Sequence, residues 1–101
     1  MLKWDSRDKN IGNVKARSRK IITFTLIEGE LPDNIILAAE CNCTTPSYNK
    51  DKKILTVKYK APSFPNQIVD TQMFTRKSIF IYDGETKQGI DILTFQATIT
   101  K

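Results

Sequence analysis

Lys20-Ile21-Ile22-Thr23-Phe24-Thr25-Leu26-Ile27 alternates so that Ile22, Phe24 and Leu26 share one face, and Glu28-Gly29-Glu30-Leu31-Pro32-Asp33-Asn34 then breaks the run with turn residues. A period of two, filled by β-branched and aromatic side chains, is the pattern of a half-buried strand. The pattern continues outward. Ile35 to Cys41 is a second extended apolar segment, and Thr44 to Asp51 reads as a polar loop containing Pro46. Lys53 to Lys60 alternates again, with Leu55, Val57 and Tyr59 inward and Thr56, Lys58 and Lys60 outward. Ala61 to Asp70, with Pro62 and Pro65, reads as a long irregular connection. Lys77-Ser78-Ile79-Phe80-Ile81-Tyr82 is a strand stopped by Asp83-Gly84, and Ile90 to Ile99 closes the chain as a longer one. No stretch has a sustained 3.6-residue period, so helix is at most a turn or two. The expected fold is all-β: an immunoglobulin-like β-sandwich of about seven strands, with a small barrel as the alternative.

A chain of 101 residues makes one domain and buries roughly 65% of its unfolded surface, enough for a single modest core. The longest apolar runs fall far short of the ~20 residues that span a bilayer, and Met1-Leu2-Lys3-Trp4-Asp5 holds no apolar signal region. The expected location is therefore cytoplasmic at synthesis.

The positive charge is uneven. Residues 1–20 hold Lys3, Arg7, Lys9, Lys15, Arg17, Arg19 and Lys20 against Asp5 and Asp8, and this segment alone carries the net charge of +5. We expect it to form a basic N-terminal arm or a first strand, ahead of a sandwich over residues 21–101. Such a segment suits phosphates or an acidic protein surface. The bland alternative is a solvated leader. Trp4 is its only ring, which is poor equipment for stacking on single-stranded bases. If Ile79 and Ile81 point inward, Phe80 and Tyr82 point outward, as cover for a loop or as anchors for a partner.

The box Cys41-Asn42-Cys43-Thr44-Thr45-Pro46 stands in a chain without histidine. In an extended strand, residues two apart have α-carbons about 6.6 to 7 Å apart, at the limit for a relaxed disulfide. A bond between Cys41 and Cys43 therefore needs a local kink, and reduced thiols filling the sandwich edge are the expectation. An intermolecular or strained disulfide, or a metal shared between subunits, are the alternatives. Thr44, Thr45 and Pro46 are expected to shape the exit from the preceding strand. There is no histidine to activate a nucleophile, no Gly-rich phosphate loop, and the paired acids Glu28/Glu30 and Asp83/Glu85 fall in turns. No catalytic residue, cofactor site or metal site is expected.

The strand order, the Cys-x-Cys-Thr-x-Pro box and the partly matching Phe74-to-Ile79 stretch resemble the bacterial immunoglobulin-like family catalogued as domain of unknown function 1573. Asn42 stands where that family has glycine, and Asn49-Lys50-Asp51-Lys52-Lys53 replaces its Pro-Gly turn. The resemblance implies a scaffold-type sandwich without catalytic activity. Members of the family are usually exported, whereas Met1 here leads straight into the basic segment.

Three functions are weighed. The leading one is a non-enzymatic module that docks onto a larger assembly, in its most specific form a phage virion accessory protein that decorates or cements a capsid or tail. Its partner would be a protein, a homo-oligomer being one form, and its location the virion. Lys3, Trp4, Arg7, Lys15, Arg17, Arg19, Lys20, Phe80 and Tyr82 would make the contacts. The alternatives are a nucleic-acid binder that uses the basic segment on phosphates, and a periplasmic or surface adaptor.

Overall fold

The computed structural model describes residues 2–63 and 72–101. Eight strands follow one another: β1 (Lys3–Trp4), β2 (Asp8–Lys15), β3 (Arg19–Glu28), β4 (Ile35–Ala39), β5 (Thr44–Asn49), β6 (Ile54–Lys60), β7 (Gln72–Asp83) and β8 (Gly89–Thr100). They form two four-stranded sheets, ordered β1-β3-β6-β5 and β2-β8-β7-β4. All pairings are antiparallel except β2 with β8, which run parallel. Among the described residues there is no helix, and so none long and apolar enough to cross a membrane.

The inner faces make one core, because alternation places the apolar set of every strand on the same side. Ile22, Phe24, Leu26, Leu55, Val57 and Tyr59 come from one sheet; Val14, Ile79, Ile81, Leu93, Phe95, Ala97 and Ile99 come from the other. The Tyr59 and Phe95 rings meet edge-on across the two layers, centroids 5.1 Å apart, the favourable geometry for an aromatic pair. The molecule is a β-sandwich.

The structure departs from the sequence expectations in three places. Among the described residues the strands number eight, where about seven were expected. Residues 44–49, expected as a polar loop, are strand β5. It pairs with β6 alone, with Pro46 opposite Val57, and an edge strand tolerates a residue that has no N–H to donate. The basic segment takes the strand alternative twice over: β1 joins β3, and β2 joins β8. Its Trp4 is 4% exposed and Val14 is fully buried. The last departure is at the cysteines, which are bonded to one another. The long connection expected over 61–70 lies outside the described residues from position 64 onward.

The β2 strand carries an irregularity that the sequence explains. Its register against β8 shifts between Asn10 and Asn13. Gly12 sits there at φ 76°, a left-handed conformation glycine adopts without steric cost, and its N–H donates to Asn10 Oδ1 at 2.9 Å. This is the geometry of a bulge.

Candidate functional site

The N-terminal cations do not act as one group. Arg7 folds back onto β8, where its Nε and a terminal guanidinium nitrogen donate to the Asp91 carboxylate at 3.1 Å each, and a further N–H reaches the Leu2 carbonyl at 2.7 Å. The indole N–H of Trp4 donates to the same carboxylate at 2.9 Å. Burial pushes the Asp91 carboxyl up, but hydrogen bonds from Arg7, the Ile92 N–H and Trp4, with the Arg7 charge, outweigh it and hold the group below its ordinary range. Trp4 and Arg7, expected to meet a partner, thus serve as an internal tie between the two sheets, and Trp4 has almost no surface to offer. Lys3 is exposed on β1, well away in register from the remaining cations.

Those remaining cations gather at one end. The β2–β3 turn brings Arg17, Arg19 and Lys20 beside the end of β6, where Arg19 lies directly opposite Lys60, Lys20 opposite Tyr59 and Ile21 opposite Lys58. Arg19, Lys20, Lys58 and Lys60 line a cleft of about 340 Å³ together with Ile21, Asn42 and Thr45. A second cleft of about 400 Å³ continues it past Lys60 to Arg17 and Ser63. The two share Asn42, Cys43 and Lys60. Among the described residues no acid lines either cleft, and none of these five cations forms an ion pair. Lys15 stands exposed at the start of the same turn. Lys58 and Lys60 belong to the cluster although the chain separates them from the basic segment by some forty residues. Only the β3–β6 register brings them there. Arg17 holds the turn in a left-handed conformation, φ 65°.

The floor of the cleft is the box. Cys41 and Cys43 are joined by a disulfide with α-carbons 5.3 Å apart. The expectation of reduced thiols assumed an extended backbone, whereas the chain turns here: the Thr44 N–H and hydroxyl donate to the Cys41 carbonyl at 3.4 and 3.2 Å. That turn brings the two α-carbons within the range a disulfide accepts. Thr44 is buried, Pro46 half-buried, and both stand in the edge strand that leaves the turn.

The opposite outer surface has a different character. Ile79 and Ile81 are fully buried, so Phe80 and Tyr82 face out, each half-buried. Register sets Ala38 and Ile92 on either side of Phe80, and Ile36 beside Tyr82. Ile92 is 52% exposed and Ile36 39%. Phe74, on the same face of β7, is 71% exposed. Phe80, Tyr82, Ile90 and Ile92 line a shallow groove of about 400 Å³. An outward sheet face is ordinarily polar. Ile36 was not singled out in the sequence because it sits in the continuous apolar run 35–39, and Ile92 because it stands beside Leu93, where alternation does not say which residue faces out.

Among the described residues no three His, Cys, Asp or Glu side chains cluster as metal ligands would. The turn acid Asp83 accepts the N–H groups of Glu85 and Thr86 at 2.8 and 3.3 Å, which shapes the β7–β8 turn. No family model, curated protein or solved structure matches this chain.

Proposed function

We propose that this protein is a non-enzymatic interaction module of the immunoglobulin-like type that docks, through the outer face of β4, β7 and β8, onto a protein subunit of a larger assembly. The observation that carries the reading is the apolar cluster Ile36, Ala38, Phe80, Tyr82 and Ile92 on a sheet face where polar residues are the rule. Aromatic anchors flanked by aliphatic side chains are the usual centre of a protein interface. The face also runs to β4, the end strand of its sheet among the described residues, and an end strand can pair with a strand of a partner.

The immunoglobulin-like assignment is supported by strand order. Taken as A, A′, B, C, D, E, F and G, the eight strands would make sheets A-B-E-D and A′-G-F-C, an order in keeping with an immunoglobulin-like sandwich whose first strand is shared between the two sheets. In its most specific form the reading is a phage virion accessory protein, by fold-level analogy with the small sandwiches that decorate capsids and tails.

The test is site-specific photo-cross-linking from position 92 in the cells that make the protein. One recovered species from a large assembly, lost when Phe80→Ser is added, is the expected result. Alanine-scale loss at such an anchor is about 2 kcal/mol, roughly a thirtyfold drop in affinity. Cross-links scattered over many proteins, or unchanged by Phe80→Ser, would remove the docking face from consideration.

A further inference from the structure

We infer that the cleft between the β2–β3 turn and the end of β6 is a binding site for the phosphate backbone of a nucleic-acid duplex, held by Arg17, Arg19, Lys20, Lys58 and Lys60 without base contacts. It uses different residues from the docking face and lies on the other sheet, so it stands or falls separately.

Charge is the first argument. The cleft gathers five of the sixteen basic side chains of a chain whose net charge is +5. Five cations elsewhere are paired: Arg7 with Asp91, Lys9 with Asp5, Lys50 with Asp33, Lys53 with Glu30 and Arg76 with Asp8. Among the described residues this cleft brings five cations together with no acid in its lining. Arg19 and Lys60 even stand as a directly opposed cross-strand pair, an arrangement that destabilises a sheet unless an anion lies between the charges.

The composition of the cleft selects the anion. Protein interfaces are depleted of lysine and enriched in exposed aromatic rings. This cleft has three lysines and two arginines, and its one ring, Tyr59, is 1% exposed. Its remaining polar lining, the Asn42 amide and the Thr45 and Ser63 hydroxyls, can all donate to phosphate oxygens. Among the described residues no exposed ring in the cleft offers an unpaired base a stacking surface, which favours a duplex over a single strand and predicts little sequence preference. The two clefts adjoin through Asn42, Cys43 and Lys60, so their cations follow one another from Lys20 to Arg17, as contacts along a polyanion backbone would.

The experiment is a fluorescence-anisotropy titration of the whole chain against a labelled 20-base-pair DNA duplex and its single strand, across a salt series, with polyglutamate as competitor. Expected are duplex binding with log K falling against log salt at a slope of about −4, weaker binding of the single strand, and no preference among sequences. Lys58→Gln with Lys60→Gln should reduce the slope by about 2, while thermal melting shows the variant still folded. Arg19→Gln reads the same cleft from β3 and should reduce it by about 1. A slope shallower than −1, binding indifferent to these variants, or displacement of the duplex by polyglutamate at equal charge would each overturn the assignment, the last in favour of an acidic protein.

Discussion

Asp91 holds three partners at once, and its stability contribution follows from the direction of its shift. Its folded pKa lies below the unfolded value of about 3.9. The contribution is therefore complete above about pH 4 and is lost as pH falls through the folded value. Asp91→Asn should lower stability by about 2 kcal/mol at neutral pH and soften the acid limb of a urea-melt series. A residual slope will remain, because Asp5 is also lowered: burial raises it, but the Lys9 hydrogen bond and charge and the Thr25 and Ser6 N–H groups outweigh that. An acid limb as steep as the parent's would show that Asp91 does not govern it. Tyr59 presents the converse case. Its hydroxyl is buried, with the Thr75 side chain as its one neighbouring polar group and no hydrogen bond of good geometry to it, so Tyr59→Phe should change stability by no more than about 1 kcal/mol in the same melts. Arg17 occupies a left-handed position that costs a side chain about 1 kcal/mol. Arg17→Gly should recover much of that in stability and weaken duplex binding, since the residue gives up conformational ease for a cation at the cleft.

At the scale of elements, β1 and β2 decide whether the N-terminal segment is structure or appendage. Trp4 packs into the core and Val14 is fully enclosed between the sheets, so removing residues 1–15 should abolish cooperative unfolding, and Trp4→Ala alone should cost about 3–5 kcal/mol. A truncated chain that still melts cooperatively at the parent's temperature would restore the idea of a detachable arm. Alternation made β3, β6, β7 and β8 legible, since each buries one face against the facing sheet and leaves the other outside. It failed for β5, whose Thr44-Thr45-Pro46-Ser47-Tyr48-Asn49 is polar because it pairs on one side only and covers little core. It failed also for β2, where Asp8-Lys9-Asn10-Ile11-Gly12-Asn13-Val14-Lys15 buries a single residue completely and is interrupted by a bulge. The short loop closed by Cys41 and Cys43 should contribute about 1–2 kcal/mol, measurable as the loss on replacing both by serine.

For the whole molecule, the two sheets turn outward in opposite directions, one presenting cations and the other rings and aliphatic side chains, which gives a small sandwich two unlike surfaces. The β2–β8 pairing ties Asp8 to Thr94 and Lys15 to Thr100, so the ends of the chain must meet before the second sheet is complete. Such long-range pairing is slow, and stopped-flow refolding should fall in the millisecond-to-second range; microsecond folding would contradict the pairing. What the sequence alone determined was the class of fold and the identity of most of the core, because burial on one face writes itself into a chain as a period of two. The position of the excess charge along the chain was also legible, but its position in space was not. The gathering of Lys58 and Lys60 with Arg17, Arg19 and Lys20, the burial of Trp4 and the folding of Arg7 onto Asp91, the turn that lets Cys41 meet Cys43, and the cross-strand cluster of Ile36, Phe80 and Ile92 were decided only by tertiary structure. Each depends on which strands lie side by side and in what register, and pairing between distant strands leaves no local period in the sequence to read.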